Sequence, residues 1–453
     1  MTLTTKRFSI FKDWNIDMVL FSKELHSKYS MVKLERIIIP RKEKVRPNDI
    51  PKDRSIVSKI RFSDGKVSFK DRIVKNDMYK SHADDLLVSN INFEKGAFAV
   101  NTWGEVYAST DYTSYIVDTK AIIPEFLFYT LRCRIFMDYV ASVKPKGMKT
   151  RARYEFIKNF EIPVPSKPEQ EEILKAYHAT LAEAEKNISD GDSFSDGLLY
   201  DIQSEVSNLK KQEHKDLSAS ASIMQTVPFT STHRWEVDYI LKEGRLESIY
   251  NSFKCPAYFI SEITVESLFG LSIKASPSQK KGMIPMLRMA NVIDGEIDYS
   301  ELKYLPLKYA VIDKEPDKWL LKDGDFLITR TNGSKDLVGK AAVFHSKDLY
   351  TYASYLIRYR FDTSLVLSEY VNILFMTPVV REQIAVMRRQ GGGQYNLNSD
   401  EIGAIRIPVP SIPQQQAIIE MYYSTKNGAN TYYDKAKMLK AKAATDFENA
   451  IFS

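Results

Sequence analysis

Two tryptophan-led segments, 221 residues apart, open a series of matched motifs that runs the length of this 453-residue chain. Trp14-Asn15-Ile16-Asp17-Met18-Val19-Leu20 is answered by Trp235-Glu236-Val237-Asp238-Tyr239-Ile240-Leu241. Asp64-Gly65-Lys66-Val67 is answered by Asp294-Gly295-Glu296-Ile297, at an offset of 230. Asp85-Leu86-Leu87-Val88-Ser89 matches Asp325-Phe326-Leu327-Ile328-Thr329, and Ser114-Tyr115-Ile116-Val117 matches Ser354-Tyr355-Leu356-Ile357, both at 240. Ile162-Pro163-Val164-Pro165-Ser166 matches Ile407-Pro408-Val409-Pro410-Ser411, and Asp201-Ile202-Gln203-Ser204 matches Asp446-Phe447-Glu448-Asn449, both at 245. One such match is within reach of chance. Six in colinear order, with an offset that only grows, argue for a duplication with small insertions in the second copy. The copies cover about residues 10–216 and 230–453.

Each copy predicts a strand-rich middle. Ser55–Ile60 and Lys66–Phe69 flank the turn signal Asp64-Gly65, and Met286–Met289 and Glu296–Tyr299 flank Asp294-Gly295, so two hairpins are expected. The Asp-Leu-Leu-Val and Asp-Phe-Leu-Ile segments read as strands. Apolar periodicity then predicts helices over Pro124–Tyr139 and Leu367–Met387, the first burying Phe126, Leu127, Tyr129, Thr130 and Leu131. The Ile-Pro-Val-Pro segments fit extended edges, and Pro168 and Pro413 fit helix starts. From there to about residues 213 and 451 run polar tails with spaced apolar residues, which need a partner to bury their stripe. Each tail is the other's obvious partner. Ser189-Asp190-Gly191-Asp192 and Asn427-Gly428 are candidate breaks, and a kinked long helix and a helix-turn-helix both satisfy the pattern. A continuous helix of ~40 residues would span ~60 Å and hold two globular units apart.

Composition removes several classes. A 44% hydrophobic content, with 26 Tyr and 23 Phe, fills real cores. Cys133 and Cys255 cannot frame a disulfide scaffold, which fits a reduced, cytoplasmic setting. The opening residues Met1–Arg7 lead into no apolar core long enough for a signal peptide, and no run approaches ~18 apolar residues, so no membrane partner is expected. A net charge of +6 permits a nucleic-acid partner without demanding one.

The repeated Ile-Pro-x-Pro segments followed by Pro-x-Gln, Ile162 to Gln170 and Ile407 to Gln415, resemble the specificity (S) subunit of type I restriction–modification enzymes. The run Asp323-Gly324-Asp325-Phe326-Leu327-Ile328-Thr329-Arg330-Thr331-Asn332-Gly333-Ser334, followed by Val338-Gly339-Lys340, is similar to that family's recognition-domain strand and loop. Glu169 keeps the common Glu-Gln pair and Gln414 departs from it. The resemblance implies an α+β chain of two tandem, pseudo-twofold-related target recognition domains, each a mixed sheet plus helices, separated by long antiparallel spacer helices. The implied boundaries are 1–166 for the first recognition domain, 167–222 for the central spacer, 223–411 for the second recognition domain and 412–453 for the C-terminal spacer. It implies a non-catalytic role: reading a bipartite, asymmetric site in double-stranded DNA while recruiting two methyltransferase (M) subunits and motor-nuclease (R) subunits. S-adenosylmethionine, ATP and magnesium would belong to those partners, and this chain would hold no cofactor.

Candidate DNA contacts follow from base-edge and phosphate chemistry, where Arg or Lys suits guanine, Asn or Gln suits adenine, and dense basic runs suit phosphate. Arg330, Asn332 and Ser334 share one loop. Lys144, Lys146, Lys149, Arg151 and Arg153 form a dense basic run. Arg388, Arg389, Gln394, Tyr395 and Asn396 occupy the equivalent place in the second copy. Gly391-Gly392-Gly393 lets backbone approach phosphate or serves as a linker. Arg288 and Asn291 lie beside the second hairpin, and Ser89, Asn90 and Asn92 follow the first Asp-led strand. A solvated surface is the plain alternative for each group.

The chain carries no Asn/Asp-Pro-Pro-aromatic methyltransferase motif, no Gly-x-x-x-x-Gly-Lys-Ser/Thr loop, no His-Glu-x-x-His and no Gly-x-Ser-x-Gly. Its six histidines are scattered. Three further readings stay open on these residues alone: the recognition subunit of a related multi-subunit type II enzyme, a divergent nuclease or methyltransferase, and a tandem-domain protein scaffold.

Overall fold

A computed structural model describes residues 25–51, 55–70, 74–91, 93–143, 154–208, 245–311, 315 and 317–452. The two tryptophan-led segments, Asn92 and the basic run 144–153 lie outside the described residues. The chain divides into two compact units, Met1–Ser189 with Tyr432–Ser453, and Asp190–Thr431.

The first unit is built on a four-stranded antiparallel sheet of β1 (Ile38–Pro40), β2 (Leu86–Ser89), β3 (Phe98–Val100) and β4 (Tyr112–Val117), in the order β1-β4-β2-β3. Leu86, Leu87 and Val88 are all buried, as expected of a central strand covered on both faces. Behind the sheet pack α1 (Pro124–Arg132) and α2 (Arg134–Val143), and α1 buries Phe126, Leu127, Thr130 and Leu131. Tyr129 is only half-buried, turned toward Tyr177 at 4.5 Å between ring centroids. The tail opens α3 (Lys167–Ser195); α4 (Leu198–Val206), which follows it, belongs to the second unit.

The second unit repeats this plan. Its main sheet runs β5-β9-β6-β8, with β5 (Thr264–Phe269), β6 (Phe326–Thr329), β8 (Ala341–Val343) and β9 (Leu356–Phe361). A short strand β7 (Thr331–Asn332) follows β6 and joins β10 (Arg389–Gly391) and β11 (Gln394–Asn396) in a separate three-stranded sheet. Its helices include α5 (Ser368–Met376), α6 (Pro378–Met387), α7 (Ser399–Gly403) and the first half of α8 (Ile412–Phe452), whose residues from Tyr432 belong to the first unit.

Each predicted long helix is therefore two helices. Pro378 explains the second break: it disfavours helical backbone at the residue before it, and Thr377 sits at φ −70°, ψ 151°. Cys133 takes the same conformation, φ −63°, ψ 150°, with no proline beside it. Both breaks are secured by a tail residue. The N–H of Val379 donates to Gln203 Oε1 (3.0 Å), and the N–H of Arg134 donates to Glu448 Oε1. Gln203 and Glu448 are the third residues of the last matched motif pair, so that repeat marks a shared capping role.

The other repeated motifs also earn their places. Gln170 Nε2 donates to the carbonyls of Ala121 (3.1 Å) and Pro165 (2.8 Å), while its Oε1 accepts from the N–H of Ile123 (2.8 Å). Gln415 does the same with Leu365 (2.9 Å), Pro410 (2.8 Å) and Leu367 (2.9 Å). The Pro-x-Gln glutamines thus clamp the entrances of α1 and α5 to the start of each tail. The Ile-Pro-x-Pro segments form two-stranded pairs, Glu161–Pro163 with Met31–Lys33 and Arg406–Pro408 with Ala257–Phe259.

Three sequence expectations need correcting. Strand pairing sets Tyr115 opposite Leu86 and Tyr359 opposite Phe326, so the counterpart of Tyr115 is Tyr359 rather than Tyr355. Both tyrosines are buried, and burial raises the pKa of both. The second hairpin is Val292–Ile293 with Glu296–Ile297; Met286 and Leu287 lie in another strand, Met283–Leu287, which pairs elsewhere. Neither candidate tail break interrupts a helix. α3 passes through Ser189–Asp192 and stops before Gly197 (φ 82°), and α8 runs unbroken for 41 residues, about 60 Å. Gly428 makes room for a neighbour instead, since a Cβ there would stand 2.3 Å from the Phe194 ring.

Within each unit the two tails pack antiparallel. Phe447 lies 5.5 Å from Tyr177, and Lys435 pairs with Glu183 at 3.4 Å, in the first unit. Residues 194 and 428 meet in the second. No helix among the described residues is long and apolar enough to cross a membrane.

Candidate nucleic-acid interface

The site in the second unit begins at the buried carboxylate Asp325. It anchors β6 by accepting from the Lys322 N–H (2.8 Å) and holding the Arg360 fork through two hydrogen bonds of 2.6 and 3.0 Å. Such a bidentate pair fixes geometry as well as charge. Asp85 is its counterpart, gripped by Arg41 at 2.6 and 2.9 Å from a different strand position. With the residue before it fixed, β6 delivers Arg330 just past its last residue. The Arg330 N–H donates to the Tyr355 carbonyl (3.0 Å), and its carbonyl accepts from the Leu397 N–H (2.8 Å). The guanidinium lies over the Phe269 ring, 5.2 Å from the centroid.

The chain then enters β7, where Thr331 pairs with Asn396 and Asn332 with Tyr395. β11 pairs in turn with β10 through the turn Gly392-Gly393, at φ 58° and 76°. Two consecutive left-handed residues make the turn that matches strand twist, and glycine adopts them without steric cost. The glycine run is a hairpin tip, with open space around each Cα. Two segments some sixty residues apart in sequence therefore become one three-stranded surface.

That surface gathers Arg330, Asn332, Ser334, Arg388, Arg389, Gln394, Tyr395 and Asn396. Several of them are committed internally. Asn332 Oδ1 accepts from the Ser334 N–H (3.0 Å), and the Ser334 hydroxyl accepts from the Asp336 N–H (3.4 Å). Gln394 Oε1 accepts from the Thr331 hydroxyl (3.2 Å), leaving its amide NH2 on an exposed residue. Arg388 stacks over Tyr395 (5.6 Å) and donates to the Lys335 carbonyl (3.0 Å). Arg389 pairs with Glu401, which also caps α7. Asn396 is half-buried opposite Thr331 and Arg389.

Arg288 and Asn291 are not part of this surface. Asn291 is 2% exposed; its amide donates to the carbonyls of Asp298 (2.8 Å) and Glu301 (3.2 Å) and accepts from the Arg288 N–H (3.0 Å). Those bonds place it inside the domain as a loop brace. Arg288 reaches the Glu301 carbonyl at 3.3 Å.

In the first unit, Ser89 ends β2 and its hydroxyl donates to the Ile91 carbonyl (2.7 Å). Asn90 is the positional counterpart of Arg330, since each follows the strand and each N–H donates to the loop before the last strand, Asp111 in one unit and Tyr355 in the other. The Asn90 amide is spent on the Thr110 carbonyl (3.1 Å) and the Thr113 hydroxyl (2.9 Å). Lys144, Lys146, Lys149, Arg151, Arg153 and Asn92 lie outside the described residues.

Sequence reasoning missed Phe269, which is 41% exposed and carries the Arg330 guanidinium over its ring, and Tyr355, which is 53% exposed and whose carbonyl accepts from the Arg330 N–H. Nothing in the sequence ties them to an arginine that long-range strand pairing brings near. Among the described residues no group of three His, Cys, Asp or Glu side chains is placed to hold a metal ion.

One sheet order, one glutamine clamp and one capped helix break, each present twice, define a duplicated α+β chain with a basic, aromatic-lined surface on its second copy. Comparison with known proteins makes the family specific. Residues 49–190 match the type I restriction modification DNA specificity domain. The EcoKI specificity subunit of Escherichia coli (strain K12) is 28% identical over 185 residues, 39% of this chain and 38% of that protein. The StySPI specificity subunit of Salmonella potsdam is 20% identical over 301 residues, 66% of this chain and 58% of that protein. Both matches span less than two thirds of the relative's length. A chain from a structural study of assembly and conformational transition of the type I R-M system superposes with a TM-score of 0.55 at 13% identity, covering 94% of this chain and 98% of that one, which extends the shared fold across both units. Over residues 49–190 the chain is thus similar to the type I restriction modification DNA specificity domain, and more widely it resembles the specificity subunits of type I restriction enzymes.

Proposed function

We propose that this chain is the DNA sequence-specificity subunit of a type I restriction–modification system, with each unit addressing one half of a bipartite, asymmetric duplex target. One observation carries the reading. The specificity-domain match lies in the first unit, and the second unit repeats that unit's sheet order. Two related modules suit two half-sites, as in symmetric DNA-binding dimers. Because Asn90 and Arg330 put different chemistry at the same place, the half-sites differ in sequence. The chain performs no chemistry in this reading. It assembles in the cytoplasm with two methyltransferase subunits and with motor-nuclease subunits, which bring S-adenosylmethionine, ATP and magnesium.

The test is deletion of this chain from its host while the methyltransferase stays expressed, with methylated adenines mapped by single-molecule sequencing. Loss of methylation at one gapped, asymmetric motif is the expected result. Unchanged methylation would contradict the proposal.

A further inference from the structure

Taken with the DNA-reading role proposed above, on which it rests, the geometry points to Arg330 as the residue that reads a guanine in the half-site of the second unit. Three observations converge. Among the described residues no group accepts a hydrogen bond from its guanidinium, and its Nε is buried without a partner. The fork is nevertheless fixed, because it lies over the Phe269 ring at 5.2 Å and its backbone is bonded on both sides, to Tyr355 and Leu397. The neighbouring cations are committed: Arg388 donates to the Lys335 carbonyl, and Arg389 pairs with Glu401.

A guanidinium that is oriented but unspent is suited to a planar, two-acceptor target. Guanine offers that target on its major-groove edge, where O6 and N7 accept the two donors of the fork. Stacking on Phe269 removes rotamer freedom before binding, so less ordering remains to oppose the contact. A phosphate also accepts a fork, but the residues held for phosphate need no such orientation and would leave no trace in the target sequence. The first unit provides the internal contrast, since Asn90 holds the equivalent position with its amide already used.

The experiment expresses the full chain with its methyltransferase in a methylation-free host and maps methylated adenines for wild type, Arg330→Ala, Arg330→Lys, Arg330→Gln and Phe269→Leu. The wild-type motif should contain one G·C pair that Arg330→Ala relaxes, with discrimination at that pair falling ~10- to 100-fold and every other position unchanged. Arg330→Gln should move the preference at that pair toward adenine, a gain that a misfolded chain cannot imitate. Phe269→Leu should weaken the same position partially. An unchanged motif in Arg330→Ala would overturn the assignment. So would a uniform loss of methylation across the variants with no change at any one base, which is the signature of a phosphate contact. If the wild-type chain directs no motif at all, the specificity-subunit reading itself falls.

Discussion

At the residue scale, two buried glutamines do the same work in the two units. Gln170 and Gln415 are fully buried and make three hydrogen bonds each to backbone groups that helix entrances leave open. Removing such a side chain strands buried donors and acceptors. Gln170→Ala and Gln415→Ala should each destabilise their own unit by about 2–3 kcal/mol, seen as a lowered midpoint in denaturant unfolding. A cost below ~0.5 kcal/mol would show that water replaces the amide. The thiols give a second check. Burial pushes the Cys133 thiol up to about 12, while Cys255 is half-buried. The reactive thiolate of Cys133 is therefore suppressed at pH 8, and a disulfide reagent should label Cys255 first and Cys133 only as the chain unfolds.

At the element scale, the hairpin of β10 and β11 depends on a backbone conformation that side chains oppose. Gly393 sits at φ 76° with open space around it. Gly393→Val should therefore strain the hairpin tip without touching the core. The expected result is an unchanged global unfolding midpoint together with DNA affinity lowered roughly tenfold, a change of about 1.4 kcal/mol. This element also shows what was legible in the sequence. The glutamines were visible as repeats because each keeps its residue type for a backbone contact, the capping pair Gln203/Glu448 because both supply a side-chain oxygen of the same reach, and β6 because it keeps an Asp followed by an apolar run. The register of β4 against β9 was not. The Ser-Tyr match at offset 240 misplaced the strand by four residues, since apolar alternation tolerates a slip that only ladder pairing with β2 and β6 resolves. Both arms of the β7-β11-β10 sheet were picked out as separate loops, because no local pattern announces pairing across some sixty residues.

At the scale of the whole molecule, duplex DNA is the proposed ligand of a chain whose net charge is only +6. Affinity should then rest on local basic surfaces, and it should fall steeply with salt, with log K decreasing linearly in log salt at roughly −0.9 per phosphate contact. Fluorescence titrations of the assembled complex from 50 to 200 mM salt check this, and salt-independent binding would favour a protein scaffold instead. Whether two units read two different half-sites can be measured by selecting random-sequence duplexes with the chain bound to its methyltransferase partner and sequencing what is retained. The expected result is one asymmetric motif in two parts, separated by an unread gap, with substitutions at Arg330 altering one part alone. A single contiguous motif, or a retained pool no different from the input, would contradict it.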